Sequence, residues 1–205
     1  YLKNIYHMQE EGGKVNTGNL AAALSISPAS VSEMVNKLSK EGLIDNKPYH
    51  GFELTGNGRK ISLTLIRKHR LLEVFLQEHL HYEWDEVHEE AEALEHVCSD
   101  MFINKLEGYL GYPKFDPHGD PIPDKELNIA PTHYKLLLNT EPGREYTIAK
   151  VKDSSIEILQ YLTKIGIKLN SKITLNEKIE FDGSVVITAE GKRNLLSKVM
   201  AEQIY

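Results

Sequence analysis

The chain has 205 residues, 40% hydrophobic and 26% charged, with a formal net charge of −6, which suits two or three small globular domains. Its single cysteine, Cys98, excludes an internal disulfide framework and a cysteine-rich zinc fold, and fits a reducing, cytoplasmic setting. No run of about 18 apolar residues occurs, so neither a membrane span nor a membrane partner is expected, and no signal peptide is visible.

The N-terminal third reads as helices followed by a hairpin. Leu2, Ile5, Tyr6 and Met8 have amphipathic helical spacing, and Gly12-Gly13 ends that helix. Thr17 is the expected cap of a second short helix, Gly18 to Ala23. Ser27 is the expected cap of a third, with Pro28 at its first position and Gly42 as its stop. Two helices joined by about four residues have helix-turn-helix grammar. Leu43-Ile44 and Gly51–Leu54 then predict two short strands around Lys47-Pro48-Tyr49-His50, the wing of a winged helix.

From about Gly58 to Leu110 the pattern is helical. Leu80-His81-Tyr82 breaks it, and one helix is expected from Trp84-Asp85 through Leu110. Residues 111–132 hold Pro113, Pro117, Pro121, Pro123 and Pro131 and read as a linker. Strands are expected at 146–151, 172–175 and 184–188, with a short helix from Ser155 to Leu162. Residues 190–204 have no clear type. The fold class is therefore mainly α with small β: a winged helix-turn-helix over 1–62, a helical domain over 63–125, and an SH3-like β-barrel over 126–205.

The charge is uneven. Residues 1–70 carry 10 Lys and Arg against 6 Asp and Glu; residues 71–140 carry 4 against 15. A basic front beside an acidic middle suits a polyanion at one end and cations in the centre, although helix faces of unlike charge would look the same.

The acidic middle holds the chemistry. His88, Glu92, Glu95 and His96 stand at i, i+4, i+7 and i+8, one side of an α-helix, and His69 and Glu73 repeat the i, i+4 pairing on the preceding helix. Any one of the six alone would read as solvated surface. Together they crowd carboxylates that repel unless a cation lies between them. Imidazole with carboxylate suits Mn, Fe, Zn, Co or Ni. An enzyme has no positive signal: His88-Glu89-Glu90-Ala91-Glu92 is not a His-Glu-x-x-His metalloprotease motif, and no phosphate loop or nucleophile elbow occurs.

These segments resemble the diphtheria-toxin-repressor family of metal-dependent regulators: Tyr1–Tyr6, Ser27-Pro28-Ala29-Ser30-Val31-Ser32, Arg67–Glu73, Val87–His96 and Pro117–Pro123. The likeness extends over nearly the whole chain and is nearest to the three-domain manganese-dependent members. It implies a cytoplasmic homodimeric repressor of metal-uptake genes that binds operator double-stranded DNA when loaded with a divalent cation. Carried over, Glu92, Glu95 and His96 belong to the primary metal site, with a further ligand immediately before Tyr1. His69, Glu73 and His88 make a second site, with Asp153 from the C-terminal domain and Glu157 as a weaker alternative. Iron-sensing members place Cys where Glu92 stands, so the carboxylate favours Mn(II). Fe(II) remains the alternative, and Zn, Co, Ni or Cd can substitute in vitro. Short two-domain manganese members carry Glu where Lys3 stands, and the longer members fit better. The recognition helix presents Ser27, Pro28, Ala29, Ser30, Ser32, Glu33 and Lys37 to the DNA. The competing readings are an iron-dependent regulator of this fold, a metal-independent winged-helix regulator, and a metalloenzyme on a helical scaffold.

Overall fold

The computed structural model describes residues 1–47, 51–152 and 155–205, which divide into two compact units, 1–68 with 123–128 and 69–122 with 129–205. Pro48, Tyr49 and His50 at the expected wing tip lie outside the described residues, as does Asp153.

In the first unit, helices α1 (Leu2–Glu10), α2 (Thr17–Leu24) and α3 (Pro28–Lys40) precede an antiparallel ribbon of β1 (Ile44–Lys47) and β2 (Gly51–Leu54). Ile5, Leu20, Val31, Val35, Ile44 and Phe52 form its core. The helix ends follow side-chain chemistry. Ser27 Oγ accepts the Ser30 N–H at 3.1 Å, and Pro28 occupies the first turn, where no N–H is needed. The cap of α2 is Asn16, not Thr17: Asn16 Oδ1 accepts the Asn19 N–H at 2.9 Å, and Thr17 is already helical. Ser25, at φ 53°, supplies the left-handed residue that turns α2 towards α3. On one flank Arg59 pairs with Glu10 at 3.0 Å and lies 4.9 Å from the Tyr6 ring centroid.

Helix α4 (Gly56–Leu80) contributes its residues from His69 onward to the second unit. The single helix expected from Trp84 through Leu110 is two, α5 (Val87–Glu95) and α6 (Asp100–Tyr109). Ser99 causes the break, since its extended backbone lets its hydroxyl accept the Phe102 N–H at 3.2 Å. Leu71, Leu72, Leu76, Val87, Ala91 and Ile103 pack together beneath these helices.

Beyond the proline-rich stretch lie β3 (Arg144–Thr147), α7 (Ile156–Lys164), β4 (Lys172–Lys178), β5 (Val185–Ala189), β6 (Lys192–Leu196) and α8 (Lys198–Ala201). The four strands form one antiparallel sheet in the order β3-β4-β5-β6 over a core that includes Ile148, Leu159, Leu162, Leu175, Ile187 and Trp84. The strand expected over 146–151 stops at Thr147. Strand β6 arises where the sequence is indistinct, because Glu190 (φ 49°) and Gly191 (φ 76°) make a two-residue hairpin turn. The sheet is open among the described residues: β3 and β6 are unpaired edges, whereas a closed SH3-like barrel would join them. No described helix is long and apolar enough to cross a membrane.

Candidate metal centre

Helices α4 and α5 bring the six sequence-predicted donors into one neighbourhood. The helical period puts His69 and Glu73 on one face of α4, and His88, Glu92 and Glu95 on one face of α5, with His96 at its C-cap. His69 sits between them. Its Nδ1 is 2.7 Å from Glu95 Oε2, and its Nε2 is 3.0 Å from Glu73 Oε1 and 3.2 Å from His88 Nδ1.

Two donor groups therefore share one imidazole. His69, Glu73 and His88 offer atoms lying within 4.8 Å of one another, and so do His69, Glu92 and Glu95. His96 Nε2 joins the second group from outside, 3.5 Å from Glu95 Oε1 and 4.0 Å from Glu92 Oε1. Donors bound at about 2.1 Å to one octahedral or tetrahedral cation are spaced about 3.0–3.5 Å apart; the His69, Glu73 and His88 atoms at 3.0, 3.2 and 3.6 Å lie close to that spacing, and the second group, spread from 2.7 to 4.0 Å, brackets it. The chemistry fits as well. Glu73 and Glu95 are 1% exposed, and two buried carboxylates need positive charge or donated protons close by. Burial alone would raise the Glu73 carboxyl pKa, yet hydrogen bonds from His69 and His88 outweigh it and hold the group down at about 2. Glu92, His88 and His96 are about half exposed and leave an opening for an ion to enter.

A third group is absent from the expected set. Glu73, Asp116 and His118 are all buried, with donor atoms within 4.8 Å of one another. His118 Nε2 donates to the Trp84 carbonyl at 2.7 Å, which directs Nδ1 to the opposite side. That Nδ1 has no hydrogen-bond partner and faces Glu73 Oε1 at 4.0 Å. A backbone carbonyl fixing one ring nitrogen while the other stays free is how ligating histidines are oriented. The His118 ring also stacks on Trp84, centroids 6.1 Å apart. Asp116 Oδ1 accepts the N–H groups of His118 and Asp120, each at 2.9 Å, and Arg70 Nε lies 3.4 Å from Oδ2. Burial first, then the charges of Glu73 and Asp120, push the Asp116 carboxyl up to about 7. Gly119 makes this turn feasible. At φ +91° a Cβ would lie 2.1 Å from the Ala149 carbonyl oxygen. The signal in the sequence was a histidine flanked by aspartates in a proline-rich stretch, which by composition reads only as linker.

Of the two C-terminal candidates, Asp153 lies outside the described residues, and Glu157 accepts a hydrogen bond from Ser155 Oγ at 2.7 Å. The residues expected on the DNA face, Ser27, Pro28, Ala29, Ser30, Ser32, Glu33 and Lys37, are all exposed on or beside α3.

Comparison with known proteins adds an independent line. Family models described as the iron dependent repressor N-terminal DNA binding domain, the iron dependent repressor metal binding and dimerisation domain, and the FeoA domain match residues 1–52, 55–124 and 135–205. The iron-dependent repressor IdeR of Mycobacterium leprae is 30% identical, with 95% of this chain and 89% of that protein covered. A solved structure described as a manganese-dependent transcriptional repressor complex with manganese superposes with a TM-score of 0.91 at 38% identity, covering 100% of this chain and 96% of the other. The manganese regulator SloR gives 0.85 at 37% identity, covering 100% and 95%.

A helix-turn-helix unit followed by a carboxylate and imidazole cluster defines a metal-dependent DNA-binding transcriptional repressor rather than an enzyme. The chain belongs to the diphtheria-toxin-repressor family of iron-dependent repressors, and manganese-type members are close to it.

Proposed function

We propose that this chain is a manganese-responsive repressor of metal-uptake genes, acting in the cytoplasm as a homodimer on operator double-stranded DNA. The observation that carries it is the all-nitrogen and oxygen donor cluster on α4 and α5, with Glu92 where a softer thiolate would favour iron-like metals. Glu92, Glu95 and His96 are proposed as one site and His69, Glu73 and His88 as the other. Asp116 and His118 are added on the strength of their buried geometry. Asp153 keeps the role that its position in the sequence suggests. The domain division 1–62, 63–125 and 126–205 and an SH3-like character for the last domain are part of the same reading.

A divalent cation supplies the positive charge that lets neighbouring carboxylates stay ionised. The chain's own residues do the rest. His69 spans both donor groups and holds α4 to α5; buried Glu73 and Glu95 fix its ring plane. Helix α6 supports pairing of two copies: Met101, Phe102 and Tyr109 are 75%, 48% and 66% exposed, an apolar surface that a single chain leaves wet. Helix α3 lies on the DNA, with Lys37 and Lys40 towards phosphates.

An anaerobic operator-binding titration with Mn(II) and with Fe(II), each repeated with chelator, tests the proposal. Tight binding with Mn(II) that chelator reverses is expected. Stronger activation by Fe(II) would favour the second reading, supported by the likeness to IdeR, and chelator-insensitive binding would overturn both. Glu92→Cys is expected to move selectivity towards Fe(II), Co(II) and Zn(II).

A further inference from the structure

Helix α3 buries Val31, Val35 and Leu38 and turns Ala29, Glu33, Asn36, Lys37 and Lys40 outward. The hydroxyls at its start are already engaged. Ser27 Oγ accepts the Ser30 N–H and lies 2.8 Å from Ser30 Oγ, while Ser32 Oγ donates to the Pro28 carbonyl at 3.0 Å. Pro28 and Ala29 carry no polar side-chain atoms. Among the described residues, Glu33 and Asn36 hydrogen-bond to no other side chain and form no ion pair. They are the uncommitted carboxylate and carboxamide on this face; Lys37 and Lys40 only donate, and can reach phosphates or guanine acceptors but neither adenine nor cytosine by the same pattern.

Three residues apart on a helix, the two side chains are about 60° apart around the axis and about 4.5 Å apart along it. That rise is comparable to one base-pair step of about 3.4 Å. We infer that Asn36 and Glu33 are the base-discriminating pair of this repressor, Asn36 taking an adenine and Glu33 a cytosine on neighbouring base pairs of each half-site. The inference rests on the proposed docking of α3 against operator DNA.

The chemistry selects these partners. A carboxamide donates to adenine N7 and accepts from its N6 amino group at the same time, a pattern no other base edge offers in the major groove. A carboxylate accepts from the cytosine N4 amino group and is repelled by the N7 and O6 acceptors of guanine. An acidic side chain facing a polyanion needs nearby compensation; Lys37, one helical turn on, and Lys40 supply it from the same face.

The test uses the full-length Mn(II)-loaded protein and selection from a randomised duplex pool. The selected duplex is then remade with single base-pair changes and with 7-deazaadenine, which lacks N7. Wild type should lose about tenfold in affinity at one symmetry-related adenine on either change. Asn36→Ala should lose that preference and ignore 7-deazaadenine, with metal uptake and salt dependence unchanged. Glu33→Gln should convert a cytosine preference to adenine. Lys37→Ala should instead weaken binding to every sequence and reduce the salt slope by about one. An Asn36→Ala protein that selects the wild-type sequence with undiminished discrimination overturns the inference, as does Glu33→Gln that keeps cytosine. Both outcomes leave the repressor reading intact. Wild type that selects no sequence with any divalent metal would sink the operator reading itself.

Discussion

Both ring nitrogens of His69 are in use, one towards Glu95 and the other towards Glu73 and His88. Removing that ring should therefore disturb two binding events, whereas removing His88 should disturb one. Titration calorimetry with Mn(II) reads the difference: His69→Ala is expected to weaken both phases by tenfold or more, and His88→Ala only one of them. Protons and metal compete for the same imidazoles, so Mn(II) affinity should fall as the pH is lowered. Asp116 adds a separate dependence in the metal-free protein. Its carboxyl is raised from 3.8 to about 7 by burial and by Glu73 and Asp120, so between those values the folded state holds a proton that the unfolded state has lost. Stability from this group is thus full below pH 4 and declines as pH rises to 7. Asp116→Asn should flatten that slope in thermal melts recorded from pH 4 to 8; an unchanged slope would place the titration elsewhere.

At the scale of elements, the helical period explains what the sequence revealed. Six donors at i, i+4 and i+7 spacing could be assigned to two faces because an α-helix maps spacing onto direction without help from the rest of the fold. The caps were legible only in part. Ser27 caps α3 as its sequence predicts, but α2 is capped by Asn16 one residue before Thr17, since both side chains can cap and only backbone angles choose between them. Ser99 gives no signal of a break because the apolar spacing continues through it. Asp116 and His118 had no periodicity to announce them; a loop brings residues together through its turns, and Gly119 and the Trp84 carbonyl set this one. The open sheet is not legible because a pattern of three alternating segments specifies neither the fourth strand nor whether the edges meet. Two expectations belong here. Ser99→Ala should cost about 1 kcal/mol in denaturant unfolding through the lost cap. Phe102→Glu on the exposed face of α6 should shift the protein from dimer to monomer in sedimentation equilibrium, with metal binding in each chain retained.

Over the whole molecule, the charge distribution ties the ligand to the partner. Residues 71–140 carry 15 acidic against 4 basic side chains, in a protein that must approach a polyanion. Each bound cation reduces that repulsion. Linkage then requires operator DNA to tighten Mn(II) binding by the same factor by which Mn(II) tightens operator binding. The two factors are separately measurable, and their inequality would rule out a simple equilibrium coupling. One feature of the third donor group makes such measurements direct. Trp84 is the sole tryptophan in the chain, buried, with its indole stacked on His118 and its carbonyl held by that ring. An ion held by Glu73, Asp116 and His118 would lie against the ring stacked on this one fluorophore, so tryptophan emission is expected to report loading of that group without a dye or an attached label.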